Sequence, residues 1–241
     1  PLSGVRLTLI SRDTLTPYSG MLPGLIAGHY TIDEAHIDLA PLTRFANARF
    51  VRSTVVGIDP ATRTIQLEDR PPIRYDVLSI NSGSTPSTDG VQGTDQFVVP
   101  VKPISQFLTH WQSLRERIAV RNEPTSITLI GGGAGSVELV LAIQHTLRDS
   151  QQPHHSELSF ALLTADSDIL ATHPPAVAKR FRRILAERSV QITTGARITK
   201  VRAGVAIDEG GREFTSDEFL WVTHAGAPSW LAEAGLTVDE Q

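Results

Sequence analysis

Six consecutive residues, Gly131, Gly132, Gly133, Ala134, Gly135 and Ser136, carry the most chemistry in this sequence. An apolar, β-leaning run at 126–130 precedes them. A helix-period pattern from about 134 to 147 follows, with Val137, Val140, Leu141 and Leu147 on its apolar face. A strand that passes through clustered glycines into a helix is the phosphate-binding turn of a βαβ unit. Gly131 lets the chain turn tightly, and Gly133 lets backbone approach a pyrophosphate closely. The new helix then aims its free N–H groups and positive dipole end at the phosphates. Ser136 stands where the fingerprint has its third glycine, and it is small enough for close helix–strand packing. Glu138 lies in the first turns of the helix, beside the expected ligand path, and is the one charged residue singled out as catalytic. Its bland alternative is a solvent-facing helix glutamate.

Composition narrows the rest. A chain of 241 residues with 40% apolar and 20% charged content can bury one large or two ordinary cores. A formal net charge of −4, with the charges scattered, gives no footprint for nucleic acid. No apolar run nears the roughly 18 residues of a membrane span, and no signal-peptide pattern opens the chain. A cytoplasmic location is therefore expected, with peripheral membrane attachment left open. The chain has no cysteine, so these residues supply no redox disulfide, thiolate nucleophile or thiolate metal ligand. Electron transfer, if any, must run through a bound cofactor. The eight histidines form no metal pattern, and His154-His155 lies in a polar loop.

The elements that must position these residues read as two copies of one α/β grammar. The second copy has strand 126–130, the helix after the glycines, strand 158–164 and a helix begun by Pro174-Pro175. It continues with strand 190–193, a hairpin of 198–202 and 205–208, and strand 218–223. The first copy has strand 5–11, a Gly/Pro-broken segment, a helix from Pro41, and strands 50–58, 64–67 and 76–81. Between them, Phe107, Leu108, Trp111, Leu114 and Ile118 mark a helix. The expected division is a partial first domain over 1–104 continuing at 229–241, a linker helix over 105–125, and a dinucleotide domain over 126–228. The first copy lacks an opening strand and glycine turn, so about 30 residues, one βα step, are expected ahead of Pro1.

Several runs carry a family resemblance: Leu15-Thr16-Pro17-Tyr18-Ser19-Gly20-Met21-Leu22-Pro23-Gly24, Tyr75-Asp76-Val77-Leu78-Ser79-Ile80-Asn81-Ser82-Gly83, and Val99-Pro100-Val101-Lys102-Pro103. Together with the glycine turn they resemble the FAD-dependent pyridine nucleotide–disulfide oxidoreductase superfamily, in its type II NADH dehydrogenase-like branch. Within that branch the resemblance is to oxidoreductases fused to, or encoded beside, selenophosphate synthetase (selenide, water dikinase). It implies two Rossmann-like units, each with an antiparallel meander, the second inserted in a truncated first. It implies FAD in the first unit and NAD(P)H in the second.

By the same resemblance Thr16, Pro17, Tyr18, Ser19 and Met21 line the isoalloxazine, Val55 meets the adenine, and Ser82 and Gly83 pack against the FAD. Residues 131–136, with Thr164 and Thr223 at two strand ends, hold the nicotinamide dinucleotide, and Glu138 matches a helix glutamate near the nicotinamide. An acid at position 164 would favour NADH through its ribose 2′-OH. The neutral threonine, with Asp166 and Asp168 beyond it, leaves NADH and NADPH both open. Lys102 reads first as an exposed linker lysine and second as a charge that meets a flavin or phosphate, Trp111 and Trp230 as core or interdomain packing, and Arg180, Arg182 and Arg183 as a solvated helix face. His224 stands where the repeat has Gly83, with no physical account.

Two functions follow as expectations. One is an oxidoreductase passing hydride from NAD(P)H to FAD and on to a quinone or other small acceptor, with a link to selenium metabolism and a homodimer among its expected assemblies. The other is a non-catalytic nucleotide-binding or docking module associated with selenophosphate synthetase. Without cysteine, disulfide-reducing and sulfide-oxidising mechanisms are disfavoured for these residues.

Overall fold

A computed structural model describes residues 4–86, 88, 90–120, 123–149, 157–223, 225–228 and 230–238. By packing, the chain forms two compact units. One comprises residues 1–18, 31–84 and 226–241, and the other comprises 19–30 and 85–225.

In the larger unit, five parallel strands lie in the order Val190–Thr193, Leu158–Leu163, Thr125–Ile130, Glu218–Trp221, Val99–Pro100. From Thr125–Ile130 the chain steps outward through the next two strands. It then returns to place Glu218–Trp221 on the opposite side of the first strand. Strand order thus reverses beside Ile130, and a crevice opens at such a point, outside the carboxyl ends of the strands.

Alternation along the strands gives the sheet two apolar faces. Ile127, Leu129, Phe160, Leu162 and Leu220 share one face and pack on three helices, Ile104–Val120, Ala134–Asp149 and Pro175–Glu187. Ile130, Leu163, Phe219 and Trp221 share the other, under an antiparallel meander of Ile198–Arg202, Val205–Asp208 and Glu213–Thr215. The third meander strand is too short to show in the sequence pattern. Fully buried side chains such as Leu129, Leu162 and Ile143 each contribute about 1.5–3 kcal/mol.

The helix expected as a linker is instead part of this core. Phe107, Trp111, Leu114 and Ile118 recur at helical spacing, and all four are buried. The Gly/Pro-broken segment also differs from expectation. Residues 22–26 form a short helix with Pro23 in its first turn, and Leu22 and Ile26 enter the same core. The Thr146 hydroxyl donates to the Ile26 carbonyl, which ties that helix down. Packing therefore assigns 19–30 and 85–125 to the second unit, where the sequence division placed 19–30 and 85–104 in the first.

The smaller unit contains a parallel pair, Thr8–Ser11 with Arg49–Arg52, and a hairpin, Leu15–Pro17 with His36–Asp38. The helix Leu39–Phe45 begins two residues ahead of Pro41, because the Asp38 carboxylate accepts from the Ala40 amide at 2.9 Å and caps it. The expected strand 50–58 breaks at Ser53-Thr54 and restarts as Val55–Asp59. That strand leads a meander with Thr64–Leu67 and Ile73–Arg74. Val51, Ile65 and Leu67 centre its core. The expected strand 76–81 does not form. Among the described residues nothing pairs with it, and Val77 is 90% exposed.

Candidate nucleotide site

The glycine turn follows directly from the sheet. The Gly131 amide donates to the Leu163 carbonyl at 2.7 Å, and the Val222 amide donates to the Ile130 carbonyl at 2.8 Å. These bonds carry the ladder one residue past the strands on both sides. Gly131 then turns at φ +134°, a backbone that side chains disfavour. Gly132 follows tight against its neighbour: a Cβ there would stand 2.3 Å from Thr164 Oγ1. Its carbonyl accepts from the Leu170 amide at 2.7 Å. At Gly133 a Cβ would meet nothing within 4 Å.

Ser136 is fully buried, and its hydroxyl donates to the Val222 carbonyl at 3.3 Å. The third fingerprint position thus joins the helix to the neighbouring strand end, and the serine adds a bond that glycine lacks. The amides of Ser136 and Val137 both donate to the Gly133 carbonyl at 3.2 Å. Among the described residues no acceptor is bonded to the amides of Gly132, Gly133, Ala134 or Gly135. Four open donors at a helix N-terminus, with the helix dipole behind them, suit an anion with several oxygens.

Three of these four residues, Gly132, Gly133 and Gly135, line a cavity of about 690 Å³ in the larger unit, at the point where strand order reverses. That volume suits a small ligand or cofactor. Gly131, Gly132, Gly133, Gly135, Thr164 and Thr223 line it together with Glu138, whereas Ala134 and Ser136 do not. Glu138 is exposed, so its carboxylate is free to meet a ligand. Thr164 is 2% exposed, and its hydroxyl accepts from the Asp166 amide at 3.2 Å.

Sequence reasoning missed other parts of the wall. Lys102 is half-buried and lines the cavity, which corrects its reading as an exposed linker lysine. Its signal was its place directly after Val101, whose amide extends the sheet edge by donating to the Trp221 carbonyl at 3.2 Å. Arg197 also lines the cavity, from the loop after the third strand, the loop that by topology opens to the same crevice as the glycine turn. Its Nε stands 3.7 Å from Glu209, with both side chains 65% exposed.

The residues expected at a flavin divide between the units. Ser19 lines the cavity, and Met21 is half-buried just ahead of the 22–26 helix. In the smaller unit, Thr16 and Pro17 pair with Ile37 and His36, and the Tyr18 amide donates to the Ala35 carbonyl at 2.9 Å. Tyr18 is 58% exposed, so it is not a core residue. Val55 opens the meander opposite Leu67, and Ser82 and Gly83 lie in an exposed loop, Gly83 at φ +79°. Among its described residues the smaller unit has no glycine turn between strand and helix, so it offers no amide cradle of this kind for a flavin diphosphate. His154, His155 and His224 lie outside the described residues. Among the described residues no cluster could hold a metal ion. Trp230 is half-buried, and Arg182 reaches Asp168 at 3.4 Å.

Comparison with known proteins agrees with this geometry. The family model for pyridine nucleotide-disulphide oxidoreductases matches residues 2–241. The chain is similar to the NADH dehydrogenase-like protein YutJ of Bacillus subtilis, 26% identical over 217 residues, 90% of this chain and 57% of that protein. Its fold is similar to NDH2 from Plasmodium falciparum, solved in complex with NADH (TM-score 0.84, 14% identity, 94% of this chain and 51% of that one). It is also similar to the sulfide:quinone oxidoreductase of Aquifex aeolicus (TM-score 0.78, 20% identity, 97% of this chain and 56% of that one). The chain spans about half the length of the curated relatives it matches. With the family match running nearly end to end, the chain belongs to the pyridine nucleotide-disulphide oxidoreductase family.

Proposed function

We propose that this chain acts in a flavin-dependent NAD(P)H oxidoreductase, and that the larger unit binds the reduced nicotinamide dinucleotide. The observation that carries this reading is the set of four unbonded amides, Gly132 to Gly135, in a turn whose three glycines line a cavity at the sheet's switch point. The names of the relatives, an NADH dehydrogenase-like protein and a quinone oxidoreductase, support a quinone or another small molecule as acceptor. The nicotinamide supplies a hydride and the flavin takes it up, so the protein needs no acid–base dyad for that step.

The chain's own residues bind and orient. The amides hold the diphosphate, and the dipole of the Ala134–Asp149 helix favours its charge. Glu138 would accept a hydrogen bond from the carboxamide of a bound nicotinamide and so help to set which face of the ring is presented to the flavin. Lys102, on the same cavity wall, places a positive charge near where electron density arrives. Thr16, Pro17, Tyr18, Ser19, Met21, Val55, Ser82 and Gly83 are proposed as flavin contacts. The link to selenophosphate synthetase rests on the sequence resemblance alone. Among the described residues no helix is long and apolar enough to cross a membrane.

Anaerobic mixing of the full-length protein with NADH or NADPH tests the proposal. Loss of the oxidised flavin's visible absorption is the expected result. A colourless protein that FAD does not reconstitute would contradict it and favour the non-catalytic module.

A further inference from the structure

Which of the two nicotinamide dinucleotides this cavity selects is open in the sequence, and the structure narrows it. The inference rests on the nucleotide reading above. An acid at the end of the second strand does two things: it accepts from the ribose 2′-OH, and it repels a 2′-phosphate. Here that position is Thr164, which is neutral and 2% exposed, with its hydroxyl already bonded to the Asp166 amide. Its side chain fills the space against Gly132, where a Cβ would stand 2.3 Å from Oγ1. Neither function of an acid is available from it.

The groups beyond Thr164 are two charges of opposite sign. Asp166 is exposed and lines the cavity, and among the described residues no cation is paired with its carboxylate. Arg197 lines the cavity from the loop after the third strand. Its 3.7 Å approach to Glu209 joins two side chains that are each 65% exposed, an ion pair too weak and too solvated to withhold the guanidinium from a ligand. Asp168 is absent from the cavity wall and is turned to Arg182 at 3.4 Å.

We infer that the cavity accepts NADPH about as well as NADH, with Arg197 as the group that admits the 2′-phosphate and Asp166 as the acceptor for the 2′-hydroxyl. A 2′-phosphate carries about −1.5 to −2 charges at neutral pH, as other phosphate monoesters do. The guanidinium fork can bind its oxygens through two parallel N–H bonds, which offsets the repulsion from the single Asp166 carboxylate. With a plain ribose, Asp166 has a hydroxyl donor and Arg197 stays with solvent and Glu209. Each ligand keeps one favourable partner.

Anaerobic fluorescence titration of the protein with NADH and with NADPH, in wild type, Arg197→Ala and Asp166→Asn, tests this. Wild-type dissociation constants within about tenfold of each other are expected, less than the worth of one charge-assisted hydrogen bond. Arg197→Ala should shift the preference toward NADH by about 10- to 100-fold, and Asp166→Asn should shift it toward NADPH. Both substitutions fall on exposed loop residues, so the ratio is read in folded protein. A wild-type preference above about 100-fold for either dinucleotide, or a ratio unmoved by Arg197→Ala, would overturn the inference and leave the nucleotide site standing. Binding of neither dinucleotide would overturn the site and the inference together.

Discussion

The carbonyl oxygen of Val222 stands where any side chain at position 131 would have to begin: a Cβ on Gly131 would lie 2.3 Å from it. That contact brings the end of the Glu218–Trp221 strand against the phosphate turn, and Ser136 fixes it by donating to the same oxygen. Gly131 is thus a structural glycine. Gly133 has open space about its Cβ and lines the cavity, so packing does not require a glycine there.

The two glycines should therefore fail differently. Gly131→Ala meets both the Val222 carbonyl and an unfavourable φ, and a loss of about 1–3 kcal/mol or more of stability is expected. Gly133→Ala should leave stability within about 0.5 kcal/mol of wild type while its methyl enters the cradle and weakens dinucleotide binding. Urea unfolding and NADH titration of both variants read the contrast, and similar stability losses in the two would contradict it.

Ser126 and Asp217 hold the register from the other end of the same strands. The Asp217 carboxylate accepts from the Ser126 amide at 2.9 Å and hydroxyl at 2.7 Å, and the Asp217 amide donates to that hydroxyl at 2.9 Å. A double-mutant cycle of Ser126→Ala and Asp217→Asn should give a coupling of about 1–2 kcal/mol. Additive losses would show that the pair does not act as a unit.

The larger unit was legible because its chemistry is written locally. A β-branched run, clustered glycines and a helix stripe follow one another within 25 residues, and strand 190–193 fell where expected. The misses share a cause: their structure depends on partners remote in sequence. The 22–26 helix is held by the core that receives Leu22 and Ile26, against the local advice of Gly24. Segment 76–81 has strand residues, and among the described residues no strand pairs with it. Lys102 and Arg197 reach the cavity through topology, because the ends of parallel strands open on one side of the sheet.

Asp208 ties the meander to its turn. It is 4% exposed, and its carboxylate accepts from the Gly210 amide at 3.0 Å, the Arg212 amide at 2.8 Å and Arg212 Nε at 2.6 Å. Burial pushes the carboxyl up, yet the bonds from Arg212, its charge and the Gly210 amide together hold it below its ordinary 3.8. A carboxyl depressed by folding stabilises fully above its unfolded value and loses that contribution as pH falls through the folded one. Asp208→Asn should therefore be less stable than wild type at neutral pH, and the difference should shrink below about pH 4. Urea midpoints from pH 7 down to pH 3 check the trend; a difference independent of pH would contradict it.

Glu138 is exposed at the cavity and is proposed to orient the nicotinamide. Glu138→Gln in the full-length enzyme should slow flavin reduction by about tenfold or more, the worth of one charge-assisted hydrogen bond, with a smaller effect on KM. A change confined to KM would make it a binding group only.

The account rests on the amides of the glycine turn, and amide-resolved NMR of the 15N-labelled protein titrated with NADH addresses them one by one. Saturable shifts centred on Gly132, Gly133, Ala134 and Gly135 are the expected result. Unmoved turn amides, while NADH binds elsewhere or does not bind at all, would contradict the account.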